Sequence, residues 1–190
     1  MSELVENSLA AAAKLLETLR GDRGALHAVD QTILAMERCF KGGGKVLACG
    51  NGGSMADAMH FCEEWTGRFR RDRDPMPAIA LSDPTHMSCV ANDFGFQHVF
   101  ERQVRALGKP EDVLLVLSTS GQSANILLAA EAAKKKGMSV VGFLGKGGGD
   151  ALPHCDVAFL APGETSDRIQ ELHMLVLHIV IEAVEEKLGF

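Results

Sequence analysis

His60 and Glu64 stand four residues apart in the stretch CGNGGSMADAMHFCEEW, residues 49–65. On a helix, side chains at that spacing share a face, so an imidazole and a carboxylate can meet one metal ion or one substrate, although such pairs also serve as plain surface contacts. A second imidazole lies in MLVLHIVIEAV, residues 174–184, where only His178 and Glu182 are polar. That pattern predicts a helix buried nearly all round, and a buried histidine needs a partner. It is either a satisfied core residue or a ligand or proton carrier. One turn earlier, SDRIQELH spaces Asp167, Gln170 and His173 by three and reads as a polar face on the same helix.

A different chemistry is offered by STSGQS, residues 118–123, where Ser118, Thr119, Ser120 and Ser123 place four hydroxyls around Gly121. Hydroxyls, free backbone N–H groups and the positive end of a helix dipole together form an anion cradle. The loop holds no Lys or Arg, which fits a phosphomonoester held by neutral donors. The alternative is a Ser-rich cap and turn. The Gly-rich corner GNGGSM does not satisfy G-x-G-x-x-G and lacks the Gly-Lys-Ser/Thr ending of a phosphate-binding P-loop, so the common nucleotide readings are excluded.

The elements that must position these residues are legible. Strand-length apolar runs occur at 45–49, 78–81, 112–118, 139–144 and 156–161, mostly separated by helical stretches at 54–65, 87–107 and 124–137. Alternation of this kind implies a parallel sheet buried on both faces, with ligands beyond the carboxyl ends of its strands. Both loops fall at such ends. A last helix is expected from about Thr165, capped by Ser166 or Asp167. Ahead of the α/β body, Val5, Leu9, Ala12, Leu16 and Leu19, then Leu26, Val29, Ile33, Met36 and Phe40, form two seams stepping by three and four. Seams this narrow suit helix-on-helix packing within a subunit or between subunits, with GDRG (21–24) as the turn. The chain therefore reads as one domain over 1–190, with 1–42 a helical extension used in oligomerisation and 43–190 the α/β core.

Composition narrows the class. With 190 residues, 46% apolar and 23% charged, the chain suits one globular domain. A net charge of -6 argues against nucleic acid as partner. Arg68, Arg70, Arg71 and Arg73 form the one basic cluster, and Asp72 and Asp74 dilute it to what reads as a solvated loop. The 5 cysteines are scattered and never paired as C-x-x-C, which suits a reducing compartment and argues against both a disulfide framework and a Cys zinc site. The N-terminus is acidic where a signal peptide is basic, and no apolar run reaches membrane-spanning length, so a cytoplasmic protein is expected.

Together, CGNGGSMADAMHFCEEWTGRF, ANDFGFQHVFERQV, STSGQSAN and DRIQELHMLVLHIVIE resemble the sugar isomerase (SIS) family, and within it the phosphoheptose isomerases, over almost the whole chain. The resemblance implies a flavodoxin-like five-stranded parallel sheet flanked by helices and a homotetramer with sites shared between subunits. It also implies conversion of sedoheptulose 7-phosphate to D-glycero-D-manno-heptose 7-phosphate for bacterial surface polysaccharide. One zinc ion per subunit is implied on His60, Glu64, Gln170 and His178. Substrate contacts are implied at Asn51, Gly52, Gly53, Glu64, Asn92, Asp93, Ser118, Thr119, Ser120, Ser123 and Gln170, with Ser54 and Asp167 adjacent. Moving a carbonyl between C2 and C1 through an enediol needs a base at carbon and a second group for the hydroxyl proton. Glu64 is the candidate base and His178 the candidate acid. Gln170 and His178 are eight residues apart, about 12 Å along a helix, whereas zinc ligands lie about 2 Å from the metal. One of the two is therefore expected from a neighbouring subunit.

Two rivals share the fold. Non-catalytic SIS binding proteins that associate with a replication initiator resemble the Gly-rich corner and the R-I-Q-E segment, but lack the Glu64 and His178 pairing. SIS isomerases of arabinose or hexulose phosphates share the Ser-rich loop without the FCEEWTGRF and DRIQELHMLVLH segments.

Overall fold

The computed structural model describes residues 2–190. Its centre is a parallel sheet in the order β2-β1-β3-β4-β5, built from β1 Val46–Gly50, β2 Ala78–Ala80, β3 Val113–Ser118, β4 Ser139–Leu144 and β5 Val157–Leu160. β1 and β3 are buried along their whole length, which is why they read as unbroken apolar runs. Side-chain alternation sorts them between two layers. Val46, Ala48, Val113, Leu115 and Leu117 meet α2 (Arg23–Lys41), α3 (Gly53–Thr66) and α7 (Ser166–Leu188). Leu47, Cys49, Leu114 and Val116 meet α4 (Pro84–Phe94), α5 (Val99–Leu107) and α6 (Ala124–Lys135). Strand order reverses between β1 and β3, so the crevice beyond their carboxyl ends is where such sheets take ligands.

Each strand lies within one residue of its expected bounds. The helices depart further from expectation. The stretch anticipated as one helix over 87–107 is divided: α4 ends at Phe94, and Gly95 has φ 95°, a left-handed conformation that stops the helix before α5 begins. α7 starts after Thr165 rather than from a Ser166 or Asp167 cap, because the Ser166 hydroxyl is engaged with Thr119 at 2.9 Å.

The final helix is not buried all round. Leu175 and Ile179 are exposed on one face, while Val176, Leu177, Val180 and Ile181 enter the core. His173 does not join a polar face with Asp167 and Gln170. It is fully buried against Phe143 and Phe159, and neither ring nitrogen has a hydrogen-bond partner. Of the two N-terminal seams, the second packs into the core through Val29, Ile33 and Met36. α1 (Glu3–Gly21) buries only Leu19 and leaves Val5, Leu9 and Leu16 exposed. Asp22 joins the two, its carboxylate accepting the Ala25 N–H at 3.0 Å, a cap worth about 1 kcal/mol.

Candidate functional site

Two groups of residues have chemistry, and they occupy different stations. The first sits at the crevice. Asn51, Ser54, Leu117, Ser118, Thr119, Ser120, Ser123, Ser166 and Gln170 line a cavity of about 180 Å³. Ser123 is the N-cap residue of α6 but does not spend its hydroxyl on the cap, leaving it for a ligand at the helix N-terminus. The loop is shaped from within: Ser118 Oγ accepts the Gly121 N–H at 3.0 Å, and Ser120 Oγ accepts the Gln122 N–H at 3.3 Å. Behind it, Gly121 abuts the 3-10 turn 146–154 so closely that a Cβ there would lie 1.9 Å from the Gly148 carbonyl oxygen.

The Gly-rich corner contributes space. A Cβ on Gly53 would fall 2.5 Å from Gln170 Oε1, so the absence of a side chain lets α7 deliver Gln170 to the mouth of α3, where its amide lies 3.4 Å from Ser54 Oγ. Asn51 and Asn125 exchange two amide hydrogen bonds of 2.9 and 2.8 Å that clamp the corner to α6. Asn125 and Ser166 escaped the sequence reading, although Asn125 lies within STSGQSAN and Ser166 was read only as a helix cap.

The second group lies where α3 crosses α7. His60 Nε2 is 3.2 Å and His178 Nε2 3.9 Å from the same oxygen, Glu64 Oε1, and the two rings meet edge-on at 5.1 Å. Donor atoms of all three lie within 4.8 Å of one another. Two imidazole nitrogens and a carboxylate oxygen are the donor set of a catalytic zinc site that keeps one position open, so these residues fit a metal ion. Phe69 stacks on His178 at 5.6 Å. Burial lowers the His178 pKa; His60 and Arg70 add to this and Glu64 opposes it. His178 is thereby biased toward the neutral ring that binds metal or carries a proton.

Gln170 belongs to the first group within one chain, not with His60, Glu64 and His178. Asn92 and Asp93 do not line the cavity either. They stand exposed at the end of α4, Asn92 donating to Asp93 at 2.7 Å. Asp167 lies beside the cavity without lining it. Its carboxyl is held below the usual range by the Thr165 hydroxyl first, then by nearby backbone amides and Arg168. A roomier cleft of about 430 Å³ lies between α5 and α6, but its polar groups are engaged locally: His98 and Arg105 both pair with Glu101, Lys135 with Glu131, and Lys136 donates to the Arg105 carbonyl at 2.6 Å.

The arginine cluster is not a solvated loop throughout. Arg70 pairs with Glu182, and the Arg73 side chain is 0% exposed, bound to Glu185 and to the last turn of α3. No helix among the described residues is long and apolar enough to cross a membrane.

The SIS domain family model matches residues 9–145. A phosphoheptose isomerase of Enterobacter sp. (strain 638) is 47% identical over 187 residues, 98% of this chain and 97% of the relative. One from Fusobacterium nucleatum is 56% identical over 146 residues, 77% of this chain and 75% of the relative. The solved structure of phosphoheptose isomerase GmhA from Neisseria gonorrhoeae superposes with a TM-score of 0.90 at 37% identity, covering 97% of this chain and 98% of that one.

Proposed function

This chain belongs to the SIS domain family and, within it, to the phosphoheptose isomerases, and from that membership we infer its reaction. It is a phosphosugar isomerase that converts sedoheptulose 7-phosphate to D-glycero-D-manno-heptose 7-phosphate in heptose biosynthesis. The observation that carries the assignment of roles is the Glu64 carboxylate flanked by His60 and His178, in a chain whose Ser-rich loop offers an anion cradle. The same pairing argues against a non-catalytic binding module, which has no use for an acid–base couple.

In this reading the substrate phosphate enters the cradle formed by Ser118, Thr119, Ser120 and Ser123 at the head of α6, with Asn51, Gly52, Gly53 and Ser54 closing over the sugar. Glu64 takes the proton from C1 of the ketose. The electron pair moves into a C1–C2 double bond while His178 gives a proton to the C2 oxygen, forming the enediol. His178 then takes the O1 proton as Glu64 returns its proton to C2, leaving the carbonyl at C1. Zinc is the metal that suits the donors: His60, Glu64 and His178 would hold it and it would polarise the sugar carbonyl, with Glu64 and His178 serving as ligand and as proton carrier in turn, not at once. Gln170, Asn92, Asp93 and Asp167 complete the proposed contacts.

Two features support an assembly in which sites are shared. Gln170 and His178 occupy separate stations on α7, so a Gln170 that joins the His60/Glu64/His178 cluster would come from a second copy. Exposed apolar residues on α1 (Leu4, Val5, Leu9) and α7 (Leu175, Ile179) offer the surfaces for a tetramer. Residues 1–42 then serve that assembly and 43–190 the α/β core of a single SIS domain, in a cytoplasmic enzyme.

The test is NMR of the purified protein with sedoheptulose 7-phosphate in deuterated solvent, with zinc and after chelation, beside Glu64→Gln. An aldose signal with deuterium at C2 is expected from the parent and not from the variant. A folded, zinc-loaded parent showing neither turnover nor deuterium exchange would overturn the assignment.

A further inference from the structure

We propose that Arg73 is a positioning residue for the Glu64/His178 pair, fixing the two helices that carry them; this rests on the roles given to those residues above. Arg73 leaves the loop that follows α3 and folds back beneath the helix. Its Nη2–H donates to the Glu64 carbonyl oxygen at 2.8 Å. Nη1–H donates to the Trp65 carbonyl at 2.8 Å and reaches the Asp74 carbonyl at 3.2 Å, while Nε–H donates to Glu185 Oε1 at 2.6 Å. The guanidinium also stands 5.5 Å from the centre of the Trp65 ring.

These partners define the task. The Glu64 and Trp65 carbonyls lie in the last turn of α3, where no intrahelical donor remains for them and where a cation meets the negative end of the helix dipole. Glu185 lies seven residues beyond His178 on α7, two turns along the same face. A single guanidinium therefore holds the backbone of the candidate base and the helix that brings the histidine to 3.9 Å from it. The same loop adds Phe69 stacked on His178 and Arg70 paired with Glu182.

Stability alone is a poor reason to keep such a group. A buried Arg–Glu pair, with side chains 0% and 8% exposed here, can often be replaced by apolar residues without loss. What apolar residues cannot do is cap two carbonyls of one helix and reach a second helix at once, nor can a lysine, whose point charge lacks the planar fork.

The experiment compares zinc-reconstituted full-length parent, Arg73→Lys and the double variant Arg73→Met/Glu185→Met by kcat, KM for sedoheptulose 7-phosphate, zinc dissociation constant from chelator competition, and Tm. Arg73→Lys is expected to lower kcat by about 10- to 100-fold with KM within about threefold, and to weaken zinc binding by about tenfold. The double variant leaves no unpaired buried charge, so its Tm stays near the parent's while kcat and zinc affinity remain impaired. Parental kcat and zinc affinity in Arg73→Lys, or recovery of both in the double variant, would overturn the proposal. Should Arg73→Lys not fold, Glu185→Gln carries the test, with a loss of about three- to tenfold expected and parental values decisive against it. Glu64→Gln run alongside separates the two failures: normal turnover there refutes the catalytic reading, while the zinc affinity of the Arg73 variants still judges positioning.

Discussion

His178 Nε2 stands 3.9 Å from Glu64 Oε1 across the crossing of α3 and α7, so the candidate acid and base are brought together by packing rather than by sequence spacing. Removing either end tests their roles separately. Glu64→Gln preserves shape and removes the base; kcat is expected to fall about 10³-fold with KM within about threefold, and solvent deuterium exchange at carbon to vanish with it. His178→Gln should cost about 10²-fold in kcat. Steady-state kinetics beside a deuterium wash-in assay check both.

Gly53 makes room for Gln170. In Gly53→Ala the new methyl would lie 2.5 Å from Gln170 Oε1, and the amide must swing into the cavity. KM for the sugar phosphate is expected to rise about tenfold, roughly 1.4 kcal/mol, with little change in Tm. Adding Gln170→Ala relieves the clash but removes a contact, so the double variant should resemble Gln170→Ala alone. A double-mutant cycle on KM measures this.

Two serines of the anion loop should part company. Ser118 is buried and its oxygen accepts the Gly121 N–H, so Ser118→Ala strands a backbone donor and is expected to cost about 1–2 kcal/mol of stability as well as affinity. Ser123 is half-exposed and does not cap its helix, so Ser123→Ala should weaken phosphate binding while leaving the urea midpoint unmoved. Calorimetry with inorganic phosphate and equilibrium unfolding separate the two effects.

His173 links stability to pH. Burial lowers its pKa from 6.5 to about 4, and the Leu144 backbone pulls weakly the other way without completing a hydrogen bond. A histidine depressed in the fold is stabilising when neutral. Its contribution, about 3 kcal/mol, is complete above pH 6.5 and is lost as pH falls toward 4. Asp57, raised to about 6 by burial, runs the opposite way over much of the same window. The difference between parent and His173→Leu therefore isolates the histidine: the variant should gain stability relative to the parent as pH drops from 7 to 5. Unfolding at fixed protein concentration at the two pH values reads this directly.

The strands and the positions of both candidate loops could be read from the sequence because their signals are local: apolar runs of strand length, and hydroxyl or glycine clusters at the heads of helices. What escaped depends on three dimensions. His173 was grouped with Asp167 and Gln170 by three-residue spacing, but six residues at about 100° each carry it about 120° round the helix from Asp167, into the core. Arg73 sits in a charge run that suggests solvent, and only the return of the loop beneath α3 buries it. The end of α4 was hidden because the helical pattern resumes after Gly95, whose positive φ leaves no periodic signature.

The contact between Gly121 and the Gly148 carbonyl bears on how this molecule can be engineered. Residues 146–154 look like an ordinary surface connection, the kind of place chosen for tags, grafts or new termini. Here that connection backs the Ser-rich loop, so its length and path are shared with the candidate site. The turn at Asp22 between α1 and α2 does not touch that loop; its duty is to cap α2, so an insertion there spares the anion loop provided the Asp22 cap is kept.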